Sequence, residues 1–104
     1  MTDAASGEDR REGVAVLVRT LRIVNQRGLH ARAAAKFVAL AERFGANVDV
    51  HKDGQSVSAR SIMGLMLLGA GPGSEIELQA EGWDAREALE ALAGLVESGF
   101  GETD

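Results

Sequence analysis

Residues 46–59 read ANVDVHKDGQSVSA, with apolar and polar residues alternating on both sides of Asp53-Gly54. Val48 and Val50 share one face of an extended chain, and Val57 continues the alternation in the second run. Because Asp and Gly tolerate a positive φ, Asp53-Gly54 predicts a two-residue turn between two antiparallel strands. Such alternation is typical of strands with one buried and one solvated face, so we expect the helices to cover one side of the sheet.

The flanking segments predict four strands and three helices in the order βαββαβα. Alternation predicts strands within 14–24, 46–51, 56–59 and 75–80, and helical spacing of apolar residues predicts helices over 31–44, 61–68 and from residue 84 onward. We therefore predict an α/β two-layer, open-faced sandwich, with a four-stranded sheet and three helices on one of its faces.

The start of the last helix carries a capping signal. Asp84 is expected to cap this helix, and Glu87 stands three residues later, as in a capping box. Trp83 and Ala88 are spaced to form a hydrophobic staple across the helix start.

The chain has 104 residues, no cysteine and a formal net charge of −5. This length allows one domain, which we place over 15–98, between a flexible tail at 1–14 and a short tail at 99–104. The absence of cysteine excludes disulfides and thiolate metal sites, and the acidic charge argues against nucleic-acid binding. The sequence shows neither a signal peptide nor an apolar run of about 20 residues, so we expect a cytoplasmic protein without membrane insertion.

His30 stands where the loop 25–29 meets the alanine-rich helix. A side chain there faces unpaired N–H groups at the positive end of the helix dipole, where phosphate binds well, and Arg32 can add a charge-assisted hydrogen bond. From the residues alone, two interpretations stay open: His30 caps the helix, or it accepts and holds a phosphoryl group. His51, on the polar face of a strand, is expected to be a solvated surface histidine, and we predict no metal site.

Basic residues gather around His30 in this acidic chain. Residues 25–37 contain Arg27, Arg32 and Lys36 and no acidic residue, and Arg60 lies just before the second helix. Such a cluster either arises by chance or forms a docking surface for an acidic partner or a phosphorylated group.

Two segments resemble a known family. Residues 25–38, NQRGLHARAAAKFV, resemble the phosphorylation-site segment of HPr, the histidine-containing phosphocarrier of the bacterial phosphoenolpyruvate-dependent phosphotransferase system. Residues 59–65, ARSIMGL, resemble the segment around that family's regulatory serine. The resemblance spans about residues 16–97 and implies the HPr fold with its largely antiparallel sheet. Ala33 stands where the family pattern has proline, which we expect to alter the rigidity of the site but not its function.

The resemblance implies a phosphoryl carrier that needs no cofactor and is not an autonomous enzyme. His30 would accept the phosphoryl group on Nδ1 from enzyme I and pass it to an enzyme IIA-type acceptor. Arg32 would stabilise the phosphoryl oxygens.

The second segment implies regulation and docking. Ser61 matches the serine that an ATP-dependent kinase/phosphorylase modifies, and serine is also a preferred helix N-cap. The apolar residues after it either form the family's docking patch or belong to the core, with Leu65 and one methionine pointing inward. The residues expected to dock partners are Arg27, Lys36, Arg60, Ile62, Met63 and Met66.

Other functions stay open at this point. A regulatory HPr-like protein of the nitrogen-related branch would act by docking in one phosphorylation state. A small metabolite-binding α/β domain would need a closed pocket, for which the glycine-rich turn 69–73 is the one hint. A histidine-based hydrolase is disfavoured, because no Ser or Asp is placed to complete a triad.

Overall fold

The computed structural model describes residues 16–102, which form a four-stranded sheet with three helices packed on one face. In chain order the elements are β1 (Val16–Arg22), α1 (Ala31–Ala41), β2 (Asn47–Lys52), β3 (Gln55–Ser58), α2 (Ile62–Leu67), β4 (Glu75–Glu81) and α3 (Ala85–Glu97), followed by a 3-10 turn at Gly99–Gly101. The predicted order and the open sandwich are confirmed. The tail predicted at 1–14 lies outside the described residues.

The strands lie in the order β1-β4-β2-β3, and each neighbouring pair is antiparallel. The hairpin between β2 and β3 turns at Asp53 and Gly54, whose φ angles of 51° and 82° are those of the predicted tight turn. Val50 lies opposite Leu78, and both are fully buried under the helices. The next residue, His51, lies on the face without helices, as predicted.

One aliphatic and alanine-rich core fills the space between the sheet and the helices. Its largest fully buried hydrophobic side chains are Phe37, Phe100, Ile23, Leu65, Ile76, Leu78, Leu92, Val50 and Val96. Within residues 16–102, no helix combines the length and the apolar character needed to cross a membrane.

Asp84 occupies the N-cap position of α3, but its side chain makes no capping hydrogen bond. Its buried carboxylate instead accepts the N–H groups of Gly45, at 2.9 Å, and Ala46, at 2.8 Å. Trp83 is 88% exposed, so the staple predicted with Ala88 is absent. The predicted cap was therefore wrong, because the carboxylate satisfies two loop amides that would otherwise lack acceptors.

Helix α1 ends at Ala41, three residues earlier than the spacing of apolar residues predicted. The guanidinium of Arg60 donates to the carbonyl of Phe44 at 2.9 Å, just beyond this helix end. A cation is favourable there, because carbonyls at a helix C-terminus lack partners and carry partial negative charge.

The chain after α3 folds back onto the core. Phe100 is fully buried at a φ of 58°, and Gly99 and Gly101 on either side also have positive φ angles. Left-handed backbone at Phe100 costs about 1–2 kcal/mol, which burial of the ring offsets by roughly 1.5–3 kcal/mol. Residues 99–102 therefore belong to the packed part of the chain and not to the tail predicted from 99 onward.

Candidate functional site

The loop before α1 is held against the glycine-rich turn. The N–H of Leu29 donates to the carbonyl of Ala70 at 2.9 Å, and the N–H of Gly28 donates to the carbonyl of Asn25 at 3.2 Å. Gly28 has a φ of 65°, and a Cβ atom there would lie 2.3 Å from the Ala70 oxygen. Only glycine allows this approach, so Gly28 fixes where the chain enters α1.

His30 is the N-cap residue of α1, and its main-chain carbonyl accepts the N–H of Ala34 at 2.8 Å. Its side chain makes no capping hydrogen bond. The interpretation that His30 serves only as a helix cap therefore has no support from the side-chain geometry. The first turn of α1 holds no acidic residue, so its N–H groups leave a positive environment beside the ring.

The His30 ring is held from the far end of the chain. Its Nε2 contacts Oε2 of Glu102, a residue 72 positions later, and both side chains are about one-seventh exposed, at 15% and 14%. The other oxygen of Glu102, Oε1, accepts from Nδ2 of Asn25 at 2.9 Å. The same Nδ2 donates to the carbonyl of Gly28 at 3.0 Å. Glu102 thus joins the imidazole to the loop that precedes it.

Glu102 is a site residue that the sequence did not reveal, because it lay in a segment interpreted as a tail. The hydrogen bond from Asn25 is the largest influence lowering the pKa of Glu102, followed by the hydrogen bond with His30. Partial burial opposes this shift, and the positive charge of Arg27 adds to it. The carboxyl is therefore ionised at neutral pH, and an ionised carboxylate can only accept hydrogen bonds.

Of the four predicted cations, Arg60 alone lies at the end of α1 away from His30. Arg27 and Arg32 are exposed near His30, without an ion-pair partner among the described residues. Lys36 donates to the main-chain carbonyl of Phe100 at 2.7 Å, so it also fastens the C-terminal turn. Arg60 is bound at the opposite end of α1, a helix about 16 Å long, so the structure does not group it with His30.

Ser61 is the N-cap of α2, and its Oγ accepts the N–H of Gly64 at 2.9 Å, which confirms the predicted cap. Beyond it, Leu65 is fully buried. The prediction that one methionine also points inward was wrong, since Met63 and Met66 are both exposed. A six-residue helix presents one side to the core, and that side is filled by Leu65.

Helix α2 exposes four large apolar side chains. They are Ile62, Met63, Met66 and Leu67. Met63 is 67% and Leu67 71% exposed, which is unusual for large apolar side chains on one short helix. We call these four residues the α2 patch. Leu67 was missed in the sequence, because nothing there distinguishes it from a core leucine.

A family model described as PTS HPr component phosphorylation site matches residues 17–98. The chain belongs to the HPr family. The phosphocarrier protein HPr of Cupriavidus necator is 46% identical over 87 residues, which cover 84% of this chain and 98% of that protein. The HPr-like protein Crh of Bacillus subtilis is 53% identical over 70 residues, which cover 67% of this chain and 82% of Crh.

Solved HPr structures share the fold. An HPr crystal structure from Thermoanaerobacter tengcongensis superposes with a TM-score of 0.81 at 48% identity, covering 85% of this chain and 99% of that one. HPr from Bacillus anthracis gives a TM-score of 0.76 at 49% identity, covering 79% and 98%. The HPr family and fold predicted from the two motifs are therefore confirmed.

The match to the HPr family model ends at residue 98, four positions before Glu102. The carboxylate that holds the His30 ring therefore lies outside the matched segment. Asn25 and His30, its two partners, lie inside it.

Proposed function

We propose that this HPr-family chain is a phosphoryl carrier that accepts a phosphoryl group from enzyme I on Nδ1 of His30 and passes it to an enzyme IIA-type acceptor. The observation that carries the proposal is the placement of the His30 ring. The ring lies at the start of α1 without capping it, and Nε2 is engaged by Glu102. Nδ1 makes no hydrogen bond within residues 16–102, so its lone pair is free to attack phosphorus.

Each transfer exchanges one bond for another. When the carrier is loaded, the bond between Nδ1 and phosphorus forms as the bond between phosphorus and enzyme I breaks. On delivery, a nucleophile of the acceptor forms the new bond to phosphorus and Nδ1 recovers its lone pair. No oxidant or metal is needed, so the protein's part is positioning and electrostatic stabilisation.

Groups at the start of α1 supply that stabilisation. The unpaired N–H groups of the first helical turn favour the phosphoryl oxygens, and the exposed guanidinium of Arg32 can add a charge-assisted hydrogen bond. A helix terminus stabilises an exposed anion by only about 0.3–1 kcal/mol. This modest stabilisation suits a carrier, because a tightly held phosphoryl group would be passed on slowly.

The α2 patch is proposed as the docking surface for both partners. Apolar side chains at this exposure lose contact with water when a partner covers them, and methionine adapts to surfaces of different shape. The exposed cations Arg27 and Lys36 are proposed to take part in docking, because positive charge favours acidic partners. Arg60, which directly precedes Ser61 at the start of α2, is proposed as a further docking contact.

Ser61 is proposed as a regulatory phosphorylation site for a serine kinase/phosphorylase. A phosphoserine would add about −1.5 to −2 charges at pH 7 next to Arg60. An acidic partner would then meet a less positive surface. The N-cap position tolerates the phosphate, because negative charge is favourable at a helix N-terminus.

A second function has support from one comparison. The Crh relatives are named HPr-like proteins, and one of them is 53% identical to this chain over 70 residues. A purely regulatory role would work through phosphorylation-dependent docking at the same α2 patch. Delivery of phosphate from His30 to an acceptor separates the two functions, since a regulator would bind the acceptor without transferring the group.

The direct test incubates the full chain with enzyme I and phosphoenolpyruvate and follows intact mass. We expect one acid-labile phosphoryl group, which is lost when enzyme IIA-type acceptor is added. His30→Ala should abolish the adduct, whereas His51→Ala, on the helix-free face of the sheet, should leave it unchanged. A full adduct on the His30→Ala protein would remove His30 from the proposal.

A further inference from the structure

We propose that Glu102 is a positioning residue for His30: its carboxylate keeps the ring proton on Nε2 and thereby presents the Nδ1 lone pair to the phosphoryl donor. This inference rests on the proposed carrier function. Glu102 lies beyond the segment that the family model matches.

The contact itself determines which nitrogen carries the proton. In a neutral imidazole, one nitrogen donates and the other accepts, and the partner of one nitrogen selects the form. Glu102 is an ionised carboxylate that can only accept, so Nε2 must be the donor. The pKa of Glu102 is lowered by Asn25 and His30, which keeps it an acceptor at neutral pH.

Asn25 holds the Glu102 carboxylate in place through a hydrogen bond. Its side chain is 1% exposed, and Nδ2 donates both to Glu102 and to the carbonyl of Gly28. Oδ1 of Asn25 is buried without a hydrogen-bond partner among residues 16–102. A buried acceptor without a donor costs free energy. This orientation of the Asn25 amide is retained because it directs Nδ2 at both the Glu102 carboxylate and the Gly28 carbonyl.

The C-terminal turn brings the carboxylate back to the site. Gly99, Phe100 and Gly101 have φ angles of 67°, 58° and 71°, so three successive residues adopt left-handed backbone. The buried Phe100 ring and the hydrogen bond from Lys36 to its carbonyl fix this turn on α1. Glu102 follows immediately, so its carboxylate is placed by this turn on one side and by Asn25 on the other.

The arrangement also fits the charge that develops during transfer. As Nδ1 forms its bond to phosphorus, positive charge spreads over the ring to the N–H at Nε2. A carboxylate on that N–H stabilises the charge without taking the proton, as the aspartate of a Ser-His-Asp triad does. The proton stays on Nε2 throughout loading and delivery, so the same contact serves both directions.

Two substitutions at Glu102 separate a chemical role from a structural one. In Glu102→Gln, the amide oxygen would accept from Asn25, because Nδ2 of Asn25 can only donate. The NH2 group would then face Nε2 of His30 and donate to it, which moves the ring proton to Nδ1 and blocks the nucleophile. Glu102→Ala has no group that could donate to or accept from Nε2, so it favours neither position of the ring proton. A chemical role therefore predicts that the isosteric Gln variant is the slower of the two, and a structural role predicts the reverse.

The experiment uses the full chain in four forms: wild type, Glu102→Gln, Glu102→Ala and the control Glu97→Gln, which makes the same change at an exposed residue of α3. Nitrogen-15 NMR of the unphosphorylated proteins reports which His30 nitrogen carries the proton. Rapid-quench assays with phosphorylated enzyme I give the transfer rate. Urea midpoints verify that each variant is folded.

We expect the proton on Nε2 in wild type and control, and on Nδ1 in Glu102→Gln. The Gln variant should transfer about tenfold to a hundredfold more slowly than wild type, with the Ala variant between them. An unchanged proton position in Glu102→Gln, or a Gln variant as fast as or faster than the Ala variant, would overturn the proposal. If no protein is phosphorylated, the carrier function fails, yet the proton position still tests Glu102.

Discussion

The side-chain ammonium of Lys36, on α1, donates a 2.7 Å hydrogen bond to the main-chain carbonyl of Phe100, 64 residues later in the chain. This bond fastens the C-terminal turn onto the helix that begins at His30. A residue predicted as a docking cation therefore also has a structural task, because the contact links the first helix to the turn after the last one.

Lys36→Met should loosen the C-terminal turn, since it keeps the aliphatic stem and removes the donor. We expect a loss of about 1 kcal/mol in the free energy of unfolding, measured by urea denaturation. Arg43→Met is the control, because Arg43 is an exposed cation without an ion-pair partner among the described residues. Equal midpoints for the two variants would show that the Lys36 contact adds no stability.

Gly28→Ala should destabilise the loop before His30 through both backbone strain and a clash with the Ala70 carbonyl. Gly69→Ala isolates the strain, because Gly69 also has a φ of 65° but has open space where a Cβ would lie. Strain alone costs about 1–2 kcal/mol, and the clash should add about 1–3 kcal/mol more. Thermal and urea unfolding measure both variants. Equal losses would mean that the loop can move away from Ala70.

The contribution of Glu102 to stability should depend on pH. Its pKa is lower in the folded chain than the ordinary value of about 4.3, owing first to Asn25 and then to His30. A group whose pKa falls on folding stabilises the fold above its unfolded pKa, and this contribution is lost as the pH drops through the folded pKa. Wild type should therefore exceed Glu102→Gln in stability at neutral pH, with the difference shrinking below about pH 4.

Urea unfolding of both proteins between about pH 7 and pH 3 measures this difference. Glu97→Gln, at an exposed position, should show little difference from wild type over the same range. A constant gap between wild type and Glu102→Gln at all pH values would contradict the assigned pKa shift.

Ser61 should respond differently to two substitutions. Ser61→Ala removes the acceptor for the Gly64 N–H and should cost about 1 kcal/mol of stability. Ser61→Asp keeps a good N-cap, so its thermal midpoint should stay near wild type while transfer from enzyme I slows, most at low salt. Ser56→Asp adds the same charge on the helix-free sheet face and should leave the rate unchanged. Equal rates for the two aspartate variants would confine Ser61 to capping.

Local sequence signals predicted the elements, and contacts distant in sequence decided the rest. The hairpin at Asp53-Gly54 follows from the backbone freedom of two residues, and the cap at Ser61 from one side chain and a neighbouring amide. Asp84 carries an equally strong local signal, but its carboxylate found two partners in a loop 38 and 39 residues away. The carboxylate binds these loop amides instead of capping α3, because the buried N–H of Ala46 would otherwise lack an acceptor.

The role of Glu102 could not be predicted from the sequence, because its partners Asn25 and His30 lie more than 70 residues earlier in the chain. Its partners lie near the start of the domain, and the residues around it are glycine and polar residues that resemble a tail. The buried Phe100 was the available signal, since a lone large aromatic residue between two glycines favours a packed turn. His30, Arg32 and Ser61 could be proposed as site residues from the sequence because their motifs are contiguous in the chain.

The most direct test of the account is the position of the phosphoryl group on a chain labelled with nitrogen-15 histidine. After incubation with enzyme I and phosphoenolpyruvate, we predict a phosphorus–nitrogen coupling at Nδ1 of His30, with the proton still on Nε2 and the His51 signals unchanged. Coupling at Nε2 of His30, coupling at His51, or the absence of any phosphohistidine would contradict the account.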